Sequence, residues 1–280
     1  VTLLELAEPA YGVTLASEQD ALYLLTRVSA YRIVPGKPPH RMPLDLGVGA
    51  ALTQSSIVFW SKGSLWMVPK QGGEPRVLAE IEHQPALLVA SGERFAWLDR
   101  RDAESFTIQT LERDKAHTIY SSSGSIESIV LVEGTVFFVE RKGDTWRIGS
   151  VPLDGGTPTF NQPRSGRPPS MLAAREDLFY YDGPRRSVLR LSQDFAHEQA
   201  LADHFICSPI AVSDRVLCAQ LGGLFEVPMN GRGPRLLTND LHGPVSAITA
   251  NASNVFWVND VGKSGEDKLA LRTLPLEASK

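Results

Sequence analysis

Three of the six histidines stand just before a short apolar run: His83 in IEHQPALLV, His204 in ADHFICSPIAV and His242 in DLHGPVSAI. Neutral imidazole ligates zinc, copper, iron or nickel, and it exchanges protons near neutral pH. Three such residues in one kind of position could line a ligand site or supply an enzyme with an acid and a base. The plainer alternative is that a half-polar side chain at a strand entrance bonds the backbone there.

A second set is cationic. Arg100-Arg101 in WLDRRDAE and Arg185-Arg186 in DGPRRS are adjacent pairs, and Arg27, Lys62, Arg141, Lys142 and Lys263 occupy comparable stretches. The guanidinium fork matches a carboxylate bidentately, so the two arginine pairs are the best candidates to receive an acidic group. Asp99, Asp102, Glu104, Glu140, Asp144, Asp182 and Asp260 share those stretches, and a self-neutralised, solvated rim is the bland alternative. The stretch NQPRSGRPPSM, residues 161–171, is richer in proline and glycine than its counterparts and carries Arg164 and Arg167. Loops of this kind contact partners.

Linear signatures of catalysis are missing. The chain has no G-x-S-x-G, H-E-x-x-H or C-x-x-C, and Gly262-Lys263-Ser264 lacks the upstream glycine and following helix of a phosphate-binding loop. No catalytic residue, metal or cofactor is assigned on this basis.

The totals narrow the classes. The chain has 280 residues, 42% hydrophobic and 21% charged, with a formal charge of −4. That composition belongs to a folded globular chain, and the acidic balance excludes an extended nucleic-acid footprint. No apolar run approaches the ~20 residues that span a bilayer. The sequence begins at Val1 with no methionine, so a processed or trimmed product is expected, which suits a module of a larger or exported protein. An extracytoplasmic location is favoured over a cytoplasmic one, and the compartment stays open. Cys207 and Cys218 are the only cysteines. They fall on neighbouring strands about three residues out of register, beyond unstrained disulfide reach, and two buried free thiols are expected.

The elements that carry these residues repeat. Polar turns precede apolar runs in ASEQDALYLL, TQSSIVFW, ASGERFAWL, LVEGTVFFV, AREDLFYYD, VSDRVLCAQ and NASNVFWVN. The last turn residues are Asp20, Ser56, Arg94, Gly134, Asp177, Arg215 and Asn254, spaced by 36, 38, 40, 43, 38 and 39 residues. Each unit reads as four short strands, rich in β-branched and aromatic residues and bounded by turn formers. The third and fourth are joined by VPKQGGEPRVL, VPLDGGTPTF or VPMNGRGPRLL, where Gly72, Gly155 and Gly231 supply positive φ and the prolines bracket the strand ends. Helical periodicity is absent throughout.

Seven four-stranded units of about forty residues make a seven-bladed β-propeller, all-β, predicted as one domain over residues 1–280. The last unit lacks a fourth strand, and residues 1–7 are predicted to complete it, which removes a bare edge. The stretch IVFWSKGSLWMVPKQGGEPRVLAE resembles the repeats of bacterial YWTD-, NHL- and TolB-like propellers, without matching one of these families. That resemblance implies that loops entering first strands and loops joining second to third strands share one face, at the mouth of a channel. His83, His204, His242, Arg100, Arg101, Arg164, Arg167, Arg185 and Arg186 would then face a common partner.

Two classes of function follow. One is a non-catalytic module, monomeric, binding a protein or peptide, an acidic one if the arginines engage it. The other is a lyase- or lactonase-like enzyme, or a small-ligand sensor, using the same histidines and arginines.

Overall fold

A computed structural model describes residues 1–8, 13–18, 20–42, 44, 49–102, 105–169, 172–207, 210–212, 215–220, 222–241, 243–262 and 266–276. The described chain consists of strands and turns, and no helix long and apolar enough to cross a membrane occurs among these residues.

The strands form seven antiparallel sheets. Blade 1 is built from Thr14–Ser17, Leu22–Leu25, Ala30–Ile33 and His40–Met42, and blade 2 from Ala50–Leu52, Ser56–Ser61, Ser64–Pro69 and Arg76–Glu80. Blade 3 comprises Leu87–Ser91, Arg94–Arg100, Phe106–Glu112 and Lys115–Ser122. Blade 4 comprises Ser125–Val132, Thr135–Lys142, Thr145–Pro152 and Thr159–Phe160, with Arg164–Ser165 also paired to its third strand. Blade 5 is Leu172–Ala174, Leu178–Asp182, Ser187–Leu191 and Glu198–Ala202; blade 6 is Ile210–Val212, Val216–Gln220, Gly223–Val227 and Arg235–Thr238. Blade 7 takes Val245–Ala250, Asn254–Asp260 and Leu269–Pro275 from the end of the chain and Thr2–Leu6 from its start. This is a seven-bladed β-propeller. The predicted closure is present: Glu5 pairs with Ala270 and Leu6 with Leu269, and the Val1 ammonium donates to the Thr273 carbonyl at 2.9 Å.

The recurrent glycines behave as their turns demand. Gly72, Gly155 and Gly231 have φ of +95°, +86° and +74°, and each amide bonds the carbonyl of the proline three residues before it. Two differences from expectation stand out. The fourth strand of blade 4 is interrupted after Phe160, and the stretch from residue 161, expected as a partner-contacting loop, returns to the sheet: Arg164 pairs with Trp146 and Ser165 with Thr145. Cys207 and Cys218 form a disulfide, with Cα atoms 5.1 Å apart. The expectation of free thiols fails because Cys207 lies outside the ladder, in the segment entering the first strand of blade 6. Ladder register therefore does not fix its distance from Cys218.

Contacts group the chain into two compact units, one of Gly47–Arg186 and Arg190–Gln199, the other of Val1–Leu46, Ser187–Leu189 and Ala200–Lys280. In the first unit, the first strand of blade 3 lies against those of blades 2 and 4. Its core joins the facing sides of blades 3 and 4, with Leu98, Ile108, Ile129, Val136, Phe138 and Val151 all buried. In the second unit the first strand of blade 7 lies against those of blades 1 and 6, and Leu24, Val258, Leu269 and Leu271 pack between blades 7 and 1. Alternation along each strand puts these apolar side chains on the packed faces.

Candidate functional site

The ends of the second strands carry a feature that the turn spacing did not reveal. Five or six residues after each turn anchor stands a polar residue: Thr26, Ser61, Asp99, Glu140, Asp182, Gln220 and Asn259. All are buried except Gln220, which is half-buried with its amide oxygen enclosed. A buried polar group needs partners, and several of these find them close by. The Thr26 hydroxyl accepts from the Ser29 amide at 3.1 Å and the Asp182 carboxylate from the Arg185 amide at 3.2 Å, both in the following turn, whereas Asn259 Nδ2 donates at 3.0 Å to the Gly243 carbonyl in the segment entering its own blade.

In blades 3, 4 and 5, all within the first unit apart from part of blade 5, this position is a carboxylate, and two adjacent cations follow it. One cation of each pair folds back. Arg101 Nε is 3.8 Å from Asp99, Lys142 Nζ is 3.5 Å from Glu140, and Arg185 Nε is 3.5 Å from Asp182. The other points outward. Arg100 donates to the Asp102 carbonyl at 3.2 Å and lies over the Phe106 ring, Arg141 donates to the Gly143 carbonyl at 3.1 Å, and Arg186 is exposed at φ +54°. None of these three is paired with a carboxylate among the described residues.

Glu140 is the most enclosed of the acids. Its Oε1 accepts from Tyr120 Oη at 2.6 Å and from Ser122 Oγ, and Arg147 donates to Oε2 from Nε at 2.7 Å. Burial alone would raise this carboxyl, but the hydrogen bonds from Ser122, Tyr120 and Arg147 outweigh it and hold the pKa below the ordinary value. Burial, and the carboxylate beside it, push the Tyr120 phenol up. The Arg147 guanidinium lies 3.5 Å above the Phe160 ring, a stacking geometry favourable to a cation.

Next to it, Glu198 gathers a second cluster. Tyr180 Oη donates to it at 2.6 Å, Arg185 at 3.2 Å, and Arg164 pairs with it directly while also donating to Tyr180 Oη at 2.7 Å. Burial works against the Glu198 charge, but the bonds from Arg164 and Tyr180 lower its pKa. Trp146 joins the two clusters, edge-on to Tyr180 at 6.1 Å and 5.5 Å beneath the Arg164 guanidinium.

The nine residues singled out from the sequence divide as follows. His83 and Arg101 converge on Asp99, with His83 Nδ1 3.8 Å from Oδ1. Arg164 and Arg185 converge on Glu198, the first as a clamp on its own loop. Arg100, Arg167 and Arg186 are exposed. His204 is exposed at φ +54° in the other unit, and His242 lies outside the described residues. Among the described residues no three His, Cys, Asp or Glu side chains gather as metal ligands. Sequence reasoning missed Tyr120, Arg147, Trp146 and Glu198, and took Glu140 only as one of the acids neutralising the rim. The signal that would have singled out Glu140 is the polar residue recurring five or six positions after every turn.

Comparison with known proteins returns the fold. No protein-family model matches the chain, and no curated protein does. Among solved structures it is similar to the AfRom2 CNH domain, at 10% identity and a TM-score of 0.65, covering 100% of this chain and 99% of that one. An oligogalacturonate lyase in complex with manganese gives 13% identity and 0.62, covering 97% and 98%. A chain of a nidogen/laminin complex gives 13% identity and 0.56, covering 74% and 88%. The likeness is one of architecture. These propellers include an enzyme and a component of a protein complex, and at such identities fold does not choose between them.

Proposed function

We propose that this chain is a propeller interaction module that docks an acidic protein or peptide segment on the turns following the second strands of blades 3, 4 and 5. One observation carries the reading. Three successive turns repeat the same division, in which one cation covers a buried carboxylate and its neighbour, Arg100, Arg141 or Arg186, is turned to solvent with no carboxylate partner among the described residues. Outward guanidinium groups on an acidic chain focus a local positive field and steer an anionic partner to that surface. Exposed Arg167 extends the same cationic set.

The principal acids nearby support binding over catalysis. Glu140 and Glu198 are held ionised with their lone pairs engaged by donors, so neither is poised to take a proton at neutral pH. The disulfide fits an oxidising, extracytoplasmic compartment.

The test is binding of fluorescent poly-L-glutamate, followed by anisotropy at low and moderate salt. The variant Arg100→Glu/Arg141→Glu/Arg186→Glu is expected to weaken it at least tenfold, with a shallower salt dependence. Equal affinity of wild type and variant rejects the surface.

A further inference from the structure

Between the third strand of blade 4 and the loop that returns to it lies a pocket of about 110 Å³, lined by Glu140, Lys142, Thr145, Trp146, Arg147 and Pro163. We infer that this pocket takes the carboxylate of a single Asp or Glu side chain of the docked segment, an inference that rests on the interaction reading above.

Charge, size and order argue for it. Two cations, Lys142 and Arg147, face one carboxylate there, and that carboxylate is spoken for: Glu140 is fully buried, with Tyr120 and Ser122 on one oxygen and Arg147 on the other. Lys142 is the less committed cation, half-exposed and 3.5 Å from Glu140, so its ammonium keeps donors for an incoming anion. The pocket therefore keeps a net positive charge in partly desolvated surroundings, where a charge-assisted hydrogen bond is stronger than on an open surface. The Thr145 hydroxyl is turned away, donating to the Lys142 carbonyl at 3.1 Å, which pins the turn that carries the lysine.

The surroundings favour a peptide as the source of the carboxylate. The pocket, about 110 Å³ and open to solvent, admits a carboxylate while the chain that carries it stays outside, and the outward Arg100, Arg141 and Arg186 on successive turns suit an extended segment with several acidic side chains. The walls are also built in advance. Buried Trp146 forms one side, Arg147 is stacked on Phe160, and Pro163 is held by the pairing of Arg164 with Trp146 and the clamp to Glu198. A site with fixed walls loses little freedom on binding. The residue 161–169 stretch thus contributes to recognition as a wall, beside whatever Arg167 contacts directly.

The experiment uses the whole protein, labelled with ¹⁵N, and follows the Trp146 indole N–H resonance during titration with pentaglutamate. The peak is assigned by its loss in Trp146→Phe. A saturable shift is expected, with Lys142→Gln weakening the apparent affinity about five- to tenfold, as for a partly buried charge contact. Trigalacturonate at equal carboxylate concentration should leave the peak in place. If pentaglutamate binds and is lost in the Arg100→Glu/Arg141→Glu/Arg186→Glu variant while Trp146 stays still, the pocket is wrong and the docking surface stands. If pentaglutamate does not bind, both fall. If trigalacturonate moves the peak at lower concentration than pentaglutamate, the peptide assignment is overturned in favour of an acidic saccharide.

Discussion

The phenol of Tyr120, in the fourth strand of blade 3, donates at 2.6 Å to Glu140, which lies near the end of the second strand of blade 4. One buried carboxylate thereby ties two neighbouring blades, and its charge state becomes a stability variable. The folded pKa of Glu140 lies below the ordinary value, as does that of Glu198. Their contribution is therefore fully present above the unfolded carboxylate range near pH 4.3 and is lost as pH falls through the folded values. Urea midpoints are expected to hold between pH 6 and 8 and to drop below about pH 4.5. Glu140→Gln leaves Arg147 without its counter-ion and should cost about 3 kcal/mol at pH 7, with a shallower acid slope than wild type. A variant with undiminished slope shows that the network carries no charge.

The Cys207–Cys218 link spans 11 residues, and both cysteines are buried. Thiol titration in denaturant should find no free thiol without reductant and two after reduction. Loss of a loop of this length is worth about 2 to 3 kcal/mol in the chain-entropy account, so Cys207→Ser/Cys218→Ser should lower the urea midpoint accordingly.

Gly149 sits where the third strand of blade 4 passes between two aromatic rings. A Cβ there would stand 2.5 Å from Phe138 and 2.8 Å from Phe160. Gly149→Ala is expected to destabilise by about 1 to 3 kcal/mol through overpacking, read as a lower denaturation midpoint with unchanged m-value.

Arg164 holds the loop that follows blade 4 by pairing with Glu198 and donating to Tyr180. Arg164→Ala should speed amide exchange across residues 161–169 while leaving exchange in the second strand of blade 4 at its wild-type rate. Equal exchange in the loop shows that the clamp does not order it.

Much of the architecture could be read from the sequence because it rests on local chemistry. The turn anchors Asp20 to Asn254 each open a second strand, the V-P turns reverse at Gly72, Gly155 and Gly231, and Thr2–Leu6 completes blade 7. The turns depend on a few adjacent residues, and the closure follows from counting strands along the repeat, although it pairs Leu6 with Leu269. The clusters have no such guide: Tyr120 and Glu140 are 20 residues apart and Arg164 and Glu198 are 34 apart, and they meet through blade packing that no short window contains. The same reason explains the disulfide. Ladder register was a sound guide for Cys218, which pairs with Ile210, and irrelevant to Cys207 before the strand begins. The sequence groups the arginines by position along each repeat, and the structure divides them between Asp99, Glu198 and solvent. What the sequence could not show was which guanidinium folds inward, because that depends on where each buried carboxylate ends its strand.

The Val1 ammonium donates to the Thr273 carbonyl and the Thr273 amide donates to the Val1 carbonyl, so Thr2–Leu6 and Leu269–Pro275 run side by side in one sheet. During synthesis Thr2–Leu6 must wait, unpaired, until Leu269–Pro275 has been made, so blade 7 is the last to assemble. A nascent chain would carry that apolar strand exposed through most of its translation.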